Sequence, residues 1–469
     1  MSATLIEQKP RHGTLPVGQD VIFTVSNTSV VSAFTGVKFI AEVHISSTFA
    51  PNPSSTTDIV GTFKTTPNNA GVGMFDFRPI IESFVNADNL ARQGSSYKTV
   101  VNTSDTNVPM HLVDKFSGNV NSMRYLFIRF KIEYIDAAGD LVTTDIKDSD
   151  IYQLLNGYLK YTDVLDLVGN DFGYNLSSFN LNGSSKSFLT NAPTTQYANL
   201  EDYGTVSLWM FNAETPSNLD GTVSVEVKYF DSDGVYISYE EVYHTAVNGG
   251  YDSYNGYIGM NLLFFGCFPA NLQGSSTMFQ NLVSAGTIQG GHYELVVMND
   301  GGQLMSSKYT INLNCPTLKG YEPIRLTWLN QWGTWDYYTF TMKSSKMIST
   351  KGSTYQQLAG SWNESAYRID SFKGGKKSFR VNATEKITMN TDFVNESESE
   401  WFEELINSPE VYILKGYEDV VETSSALNQY VTPVRLTTSN YTKKTVANDK
   451  LMQYTFEVEK SKTLRTQAV

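Results

Sequence analysis

Arg129–Val142 reads RFKIEYIDAAGDLV, Ser224–Ile237 reads SVEVKYFDSDGVYI and Tyr293–Met305 reads YELVVMNDGGQLM. Each is an alternating run, then an Asp- or Asn-bearing turn with glycine, then a second run. Period-two alternation marks a half-buried strand, and glycine supplies the positive φ that a tight hairpin needs. Three copies of one long hairpin predict immunoglobulin-like or fibronectin-III-like sandwiches in tandem. The plainer alternative is that any β protein reuses such a hairpin.

Composition points the same way. The chain has 469 residues, of which 13% are aromatic, with 28 Tyr and 26 Phe, and only 18% are charged. Tyr, Phe, Val and Thr favour strands, while the abundant Asn, Gly and Ser favour tight turns. The length suggests about three domains of roughly 150 residues. We expect a first β-sandwich over 1–150 and a second over 151–320, the latter with a helical and Asn/Ser/Gly-rich insert. The third is a Trp-rich β domain over 321–469, β-rich α+β with one main helix.

The net charge of −13 argues against nucleic-acid binding, which needs a basic surface to displace counterions. Residues 1–321 hold 17 Lys and Arg against 30 Asp and Glu, whereas 322–469 hold 18 of each. The whole negative charge therefore belongs to the first two-thirds of the chain. Two cysteines, Cys267 and Cys315, are too few for a disulfide framework. They either pair or stay as buried thiols, and the low usage favours thiols. The start, MSATLIEQKP, lacks the basic region and apolar stretch of a signal peptide. No window approaches the ~20 apolar residues of a membrane-spanning helix. We expect a chain made in the cytoplasm.

In the first domain, Asp20–Ser26, Val37–Ser46 and Ile59–Thr65 read as strands. A turn at Pro67–Gly71 leads to a short strand at Gly73–Phe77. Pro79 opens a short helix to about Ala87, and Gly94–Asn107 reads as a long loop. Leu154, Leu155, Tyr158 and Leu159 give Ile151–Val168 helical spacing. Cys315–Glu322 is the linker to the last domain. That domain holds Trp328, Trp332, Trp335, Trp362 and Trp401, five of the six tryptophans. Strands are predicted at Ile324–Leu329, Trp335–Met342, Ser378–Val381 and Glu385–Asn390, with a turn about Gly333. The convincing helix is Glu396–Asn407, with Asn395 as N-cap and Glu398 completing a capping box. Trp401, Phe402, Leu405 and Ile406 form its buried stripe, Ser408-Pro409 stops it, and further strands follow at Val411–Leu414, Val434–Thr438 and Leu451–Glu459.

The search for chemistry finds little. His12, His44, His111, His244 and His292 are scattered, and no cysteine pair has zinc spacing. Asp231-Ser232-Asp233-Gly234 resembles the start of a calcium loop, but the twelfth position is Val242 where a glutamate is needed. There is no nucleophile elbow, phosphate loop or dinucleotide fingerprint. Glu240 and Glu241 point to opposite faces of a strand, and Glu396–Glu404 reads as a solvated helix face. We expect no catalytic residue, no metal and no cofactor. The candidate interface or packing residues are Trp328, Trp332, Trp335, Trp362, Trp401 and Phe402. The tryptophans read as core or contact residues, with a sugar-stacking platform as the alternative.

Two stretches carry a resemblance. Lys64–Asn86 is KTTPNNAGVGMFDFRPIIESFVN, and Arg325–Lys346 is RLTWLNQWGTWDYYTFTMKSSK. Together with segments like Thr391–Ile413 and Leu451–Glu459, they resemble a family of virion structural proteins of tailed bacteriophages. The resemblance covers most of 57–90 and nearly all of 322–469. More loosely, the last domain is similar to the sheet-plus-helix domain of tail-tube and distal-tail rings. It implies a tail, neck or baseplate structural subunit in a ring, six-fold or a multiple, touching its own copies and other virion tail proteins. It implies no enzyme, no membrane insertion and no recognition of nucleic-acid sequence. A carbohydrate-binding adhesin or receptor-binding protein of the virion is the alternative. A glycoside hydrolase, which would need a cleft with two carboxylates about 5–10 Å apart, is the lesser one.

Overall fold

One turn recurs through the molecule, and the hairpins it closes account for much of the fold. A computed structural model describes residues 3–47, 58–91, 108–210, 223–244, 262–299, 301–313, 320–361, 365–415, 430–438, 440, 452–462 and 464–468. Among them the turn occurs five times, starting at Asn68, Asp136, Asp231, Asn299 and Asn330. In each, the glycine three residues on donates its N–H to the carbonyl of the first residue, and the first residue's N–H is returned to the carbonyl of the fifth. Glycines 71, 139, 234, 302 and 333 all have φ between 71° and 89°, the left-handed region a side chain would strain. The first residue's Oδ1 accepts from the backbone N–H of the fifth in every copy. This is a type I turn with a glycine bulge, locked by its own Asp or Asn. It explains why the calcium-like Asp231–Gly234 is a hairpin end: its carboxylate is occupied by Asp233 N and Val235 N.

The chain is mainly β, with many sheets and few helices. It divides into two compact units. The first takes the described residues of 1–315 together with 329–336, and the second those of 316–328, 337–420 and 427–469.

In the first unit a six-stranded sheet runs Thr14–Pro16, Tyr152–Leu155, Met123–Ile135, Thr35–Ser46 and Ile59–Thr65, with Leu141–Asp148 also paired to Met123–Ile135. A three-stranded sheet, Leu5–Gln8, Ile22–Ser26 and Val72–Asp76, accompanies it. Both sheets bury side chains in one core, with Phe23, Val25 and Phe75 meeting Phe39, Val43, Ile128, Phe130 and Leu154. That is a sandwich. A five-stranded sheet follows in the order Thr195–Ala198, Tyr309–Leu313, His292–Met298, Val223–Phe230 and Tyr236–His244. A three-stranded sheet runs Thr205–Trp209, Leu262–Gly266 and Phe116–Gly118, near helices Pro269–Ser275 and Thr277–Ser284.

Residue 150, where the sequence reading places a boundary, lies among strands that share sheets. Phe116–Gly118 pairs with Leu262–Gly266, and the Asn271 amide donates to the carbonyls of His111 and Val113. The helix expected over 151–168 is corrected. Tyr152–Leu155 is a strand between Thr14–Pro16 and Met123–Ile135, and Leu165–Val168 pairs with Asp171–Tyr174. Leu154 and Leu155 are adjacent apolar residues buried on both faces, a pattern that periodicity alone does not separate from helix. The helix at Pro79 is also shorter than expected: Arg78–Ile81, then a 3-10 turn over Glu82–Phe84. The expected loop Gly94–Asn107 lies outside the described residues. Cys267 is buried, and Cys315 lies outside the described residues.

In the second unit an eight-stranded sheet has the order Trp335–Phe340, Ile324–Leu329, Val411–Leu414, Val431–Leu436, Thr455–Lys460, Gly375–Asn390 and Ser344–Gln357, with Arg465–Ala468 paired to Gly375–Asn390. The one long helix is Glu396–Asn407, as the capping box predicts: Asn395 Oδ1 accepts from Glu398 N, and the Glu398 carboxylate accepts from Asn395 N.

Candidate functional site: an exposed basic ribbon

The aromatic residues singled out by the sequence separate into two groups. Trp328, Trp401 and Phe402 lie in the core of the second unit, with Trp328 and Trp401 centroids 4.9 Å apart. Phe402 reaches Tyr338 at 4.9 Å and Phe456 at 5.6 Å. The helix therefore covers the sheet through one aromatic cluster. Trp332 and Trp335 lie in the first unit. Trp332 packs on Phe179 at 4.3 Å. Trp335 meets His111 edge-on at 4.9 Å, and its indole N–H donates to the Asp88 carbonyl at 2.9 Å. All four are at most 2% exposed, so none offers a ring face to a sugar. Trp362 lies outside the described residues.

The two motifs behind the family resemblance have a structural meaning. In Leu329–Asp336 the turn is fastened by its polar residues. Asn330 Nδ2 and Thr334 Oγ1 both donate to the Leu189 carbonyl, and Thr190 Oγ1 donates to Asp336. A Cβ on Gly333 would lie 1.7 Å from the Asn156 carbonyl oxygen, so only glycine fits. In 64–86, Lys64 pairs with the Glu133 carboxylate at 2.6 Å. Gly73 lies against the Phe39 ring, and Asp76 Oδ1 accepts from Arg78 N where the following helix begins. Both motifs specify turns and packing.

Asp88 is the most buried carboxylate near these elements. It accepts from the backbone N–H groups of Val120, Asn121 and Ser122 and from the Ser122 hydroxyl. Burial pushes its carboxyl above the usual value against the pull of those donors. It pins the turn before Met123–Ile135. His111 lies in a 3-10 turn, Met110–Leu112. His12 faces Asp166 at 3.0 Å. Among the described residues no three His, Cys, Asp or Glu gather to hold a metal. Glu240 and Glu241 do point to opposite faces: Glu240 accepts from the Tyr229 and Ser276 hydroxyls, and Glu241 stands across from Glu226 on the other face.

The strands expected at Ser378–Val381 and Glu385–Asn390 are parts of one long strand, Gly375–Asn390, and its partner Ser344–Gln357, with which it makes a ribbon, is what the sequence reading missed. These strands pair over fourteen residues, about 46 Å at 3.3 Å per residue. Ile387 and Met389 root the base in the core. Ion pairs Lys386–Glu457 and Lys460–Glu385 also sit there. Ser344–Gln357 is exposed along almost its whole length and Gly375–Arg380 is exposed too, while residues 381–386 are half-buried and Arg380–Ala383 pairs with Arg465–Ala468. The outer end, Thr354–Gln357 with Gly375–Ser378, is two-stranded among the described residues, and such a hairpin has no core of its own and is marginal alone. Its far end carries a small second hairpin, Gly360–Ser361 with Arg368–Ile369. Ile369 is 79% and Phe372 73% exposed, with Leu358, Tyr367 and Phe379 also open.

Residues 344–390 hold eight Lys and Arg against three Asp and Glu, while the rest of the chain holds 27 against 45. The neutrality of 322–469 thus hides a basic ribbon on an acidic chain. Lys346, Lys351, Arg368, Lys376, Lys377 and Arg380 are exposed along it. That local basic excess is the signal that marks the ribbon in sequence. Its strand SSKMISTKGSTYQQ has no apolar face, so alternation gives nothing to read.

No family model matches the chain, and no curated protein matches it. Among solved structures, the native conformation of E. coli alpha-2-macroglobulin aligns at 8% identity and a TM-score of 0.18. That alignment covers 83% of this chain but only 22% of the macroglobulin.

Proposed function

We propose that this chain is a structural subunit of a tailed-bacteriophage virion, a tail, neck or baseplate component that joins its own copies in a ring. It acts through protein contacts and not as an enzyme. The observation that carries the assembly reading is the ribbon: a long, two-faced, basic element with an apolar tip, on a chain that is otherwise acidic. Exposed apolar surface of this kind marks an interaction site, and a marginal hairpin gains its stability from what it docks against. The resemblance of 64–86 and 325–346 to virion proteins supplies the virion. On this reading the protein is made in the host cytoplasm, and its other partners are neighbouring tail proteins. Burial of Trp328, Trp332, Trp335 and Trp401 gives no support to the alternative of a sugar-binding adhesin.

The test is the mass of the full chain in solution by native mass spectrometry. Six copies, or a multiple of six, in one closed species is expected. A monomer throughout the micromolar range would overturn self-assembly.

A further inference from the structure

The basic ribbon needs an acidic, partly apolar counterpart, and the first unit carries one. The five-stranded sheet buries Val225, Val227, Tyr229, Leu295 and Val297 on one face. On the opposite face, pairing aligns a row of rings: Tyr197 beside Asn312, then His292, Phe230 and Tyr236. Phe230 and His292 stack at 4.6 Å with planes 3° apart, and Tyr236 meets Phe230 edge-on at 5.9 Å. Tyr239 extends this surface one row on. Tyr197, Tyr236 and Tyr239 are 64%, 50% and 50% exposed.

Carboxylates border the rings. Glu226 and Glu241 stand opposite each other, and Glu294 stands one row nearer the rings, opposite Lys228. Asp231 and Asp233 follow in the adjacent turn. Among the described residues, Lys228 pairs with Glu226 and Lys308 with Glu294, and the border is rich in carboxylates. The surface is acidic with aromatic faces, which suits arginine and lysine by cation–π contact and suits Phe372 and Ile369 by burial.

We propose that the ribbon of one copy docks on this aromatic face of a second copy of the same chain. The inference rests on the reading of the chain as a self-assembling subunit, and names the two surfaces through which it assembles. The surfaces differ in charge, so each is complementary to the other and not to itself. Such a contact is head-to-tail, and it closes into a ring when the rotation per subunit allows.

The experiment uses two full-length charge-reversed variants in sedimentation equilibrium at low salt. One carries Lys376→Glu, Lys377→Glu and Arg380→Glu; the other carries Glu226→Lys, Glu241→Lys and Glu294→Lys. Each alone faces like charge with like, and its self-association is expected to weaken by about a hundredfold or more against the unmodified chain. Mixed in equal amounts, the two restore opposite charges at every contact and are expected to associate. Added salt is expected to weaken the unmodified assembly. If the face-reversed chain fails to fold, Tyr236→Ser with Tyr239→Ser replaces it, and loss of association is expected there too. A mixture that stays monomeric, or a variant that assembles as the unmodified chain does, overturns this contact. If the unmodified chain still forms its ring in those cases, the proposed function stands without it. A monomeric unmodified chain sinks both.

Discussion

Gly234 and Gly333 occupy the same position of the same turn, with φ of 76° and 75°, and alanine at the two should have very different effects. Both variants force a Cβ into the left-handed region, about 1–2 kcal/mol. Around Gly234 nothing lies within 4 Å of that Cβ, so the cost ends there. At Gly333 it meets the Asn156 oxygen at 1.7 Å and the Asn156 carbon at 2.6 Å, both backbone atoms that cannot swing aside. The turn must move, and the two hydrogen bonds into the Leu189 carbonyl and the indole bond to Asp88 are strained with it. Losing two or three buried bonds at about 1 kcal/mol each brings Gly333→Ala to about 4 kcal/mol. Urea unfolding followed by tryptophan fluorescence measures both. Equal costs at the two sites would refute the argument that the Trp332–Trp335 turn is held by close backbone packing.

Three further outcomes are expected. Asp88→Ala strands the backbone N–H groups of Val120, Asn121 and Ser122 and should cost about 3 kcal/mol or more in thermal unfolding. Asp88→Asn retains an acceptor and should cost less, so equal losses would assign the effect to charge. Phe402→Ala opens the aromatic cluster under the helix and should destabilise the second unit by about 3–5 kcal/mol, whereas Glu396→Ala in the exposed first turn should cost under about 1 kcal/mol. His44 is buried with neither ring nitrogen hydrogen-bonded, and burial lowers its pKa. The neutral ring is therefore the folded form. Its contribution is complete above about pH 6.5 and is lost as pH falls through the lowered folded value, because the unfolded chain takes the proton first. His44→Phe should flatten the fall in urea midpoint between pH 7 and 5. An unchanged slope would show that another group sets it.

Much of the fold was legible in the sequence because its hairpins are closed by local chemistry. An Asp or Asn, two residues and then a Gly set the turn at Asp136 and at Asp231 with no help from distant residues. The capping box of Asn395 and Glu398 was legible for the same reason. Tyr152–Leu155 was not, because a strand buried on both faces loses its alternation. The grouping of strands was not legible either. Phe116–Gly118 finds its partner at Leu262–Gly266, and no local signal carries pairing across about 150 residues. The tryptophans were visible as a set, but their division between two units depends on where a hairpin tip folds. The first arm of the ribbon escaped because strand patterning reads a buried face, and Ser344–Gln357 has none. Only its charge, averaged away over the whole domain, gave it a signature.

The most direct test of the assembly reading compares the full chain with a form whose ribbon is cut back, joining Gly352 to Val381 through an Asn-Gly turn. The base, with Ile387, Met389 and the Lys386–Glu457 pair, stays intact. A closed oligomer is expected for the full chain and a folded monomer for the shortened one by native mass spectrometry. A shortened chain that assembles as well as the full one would contradict it.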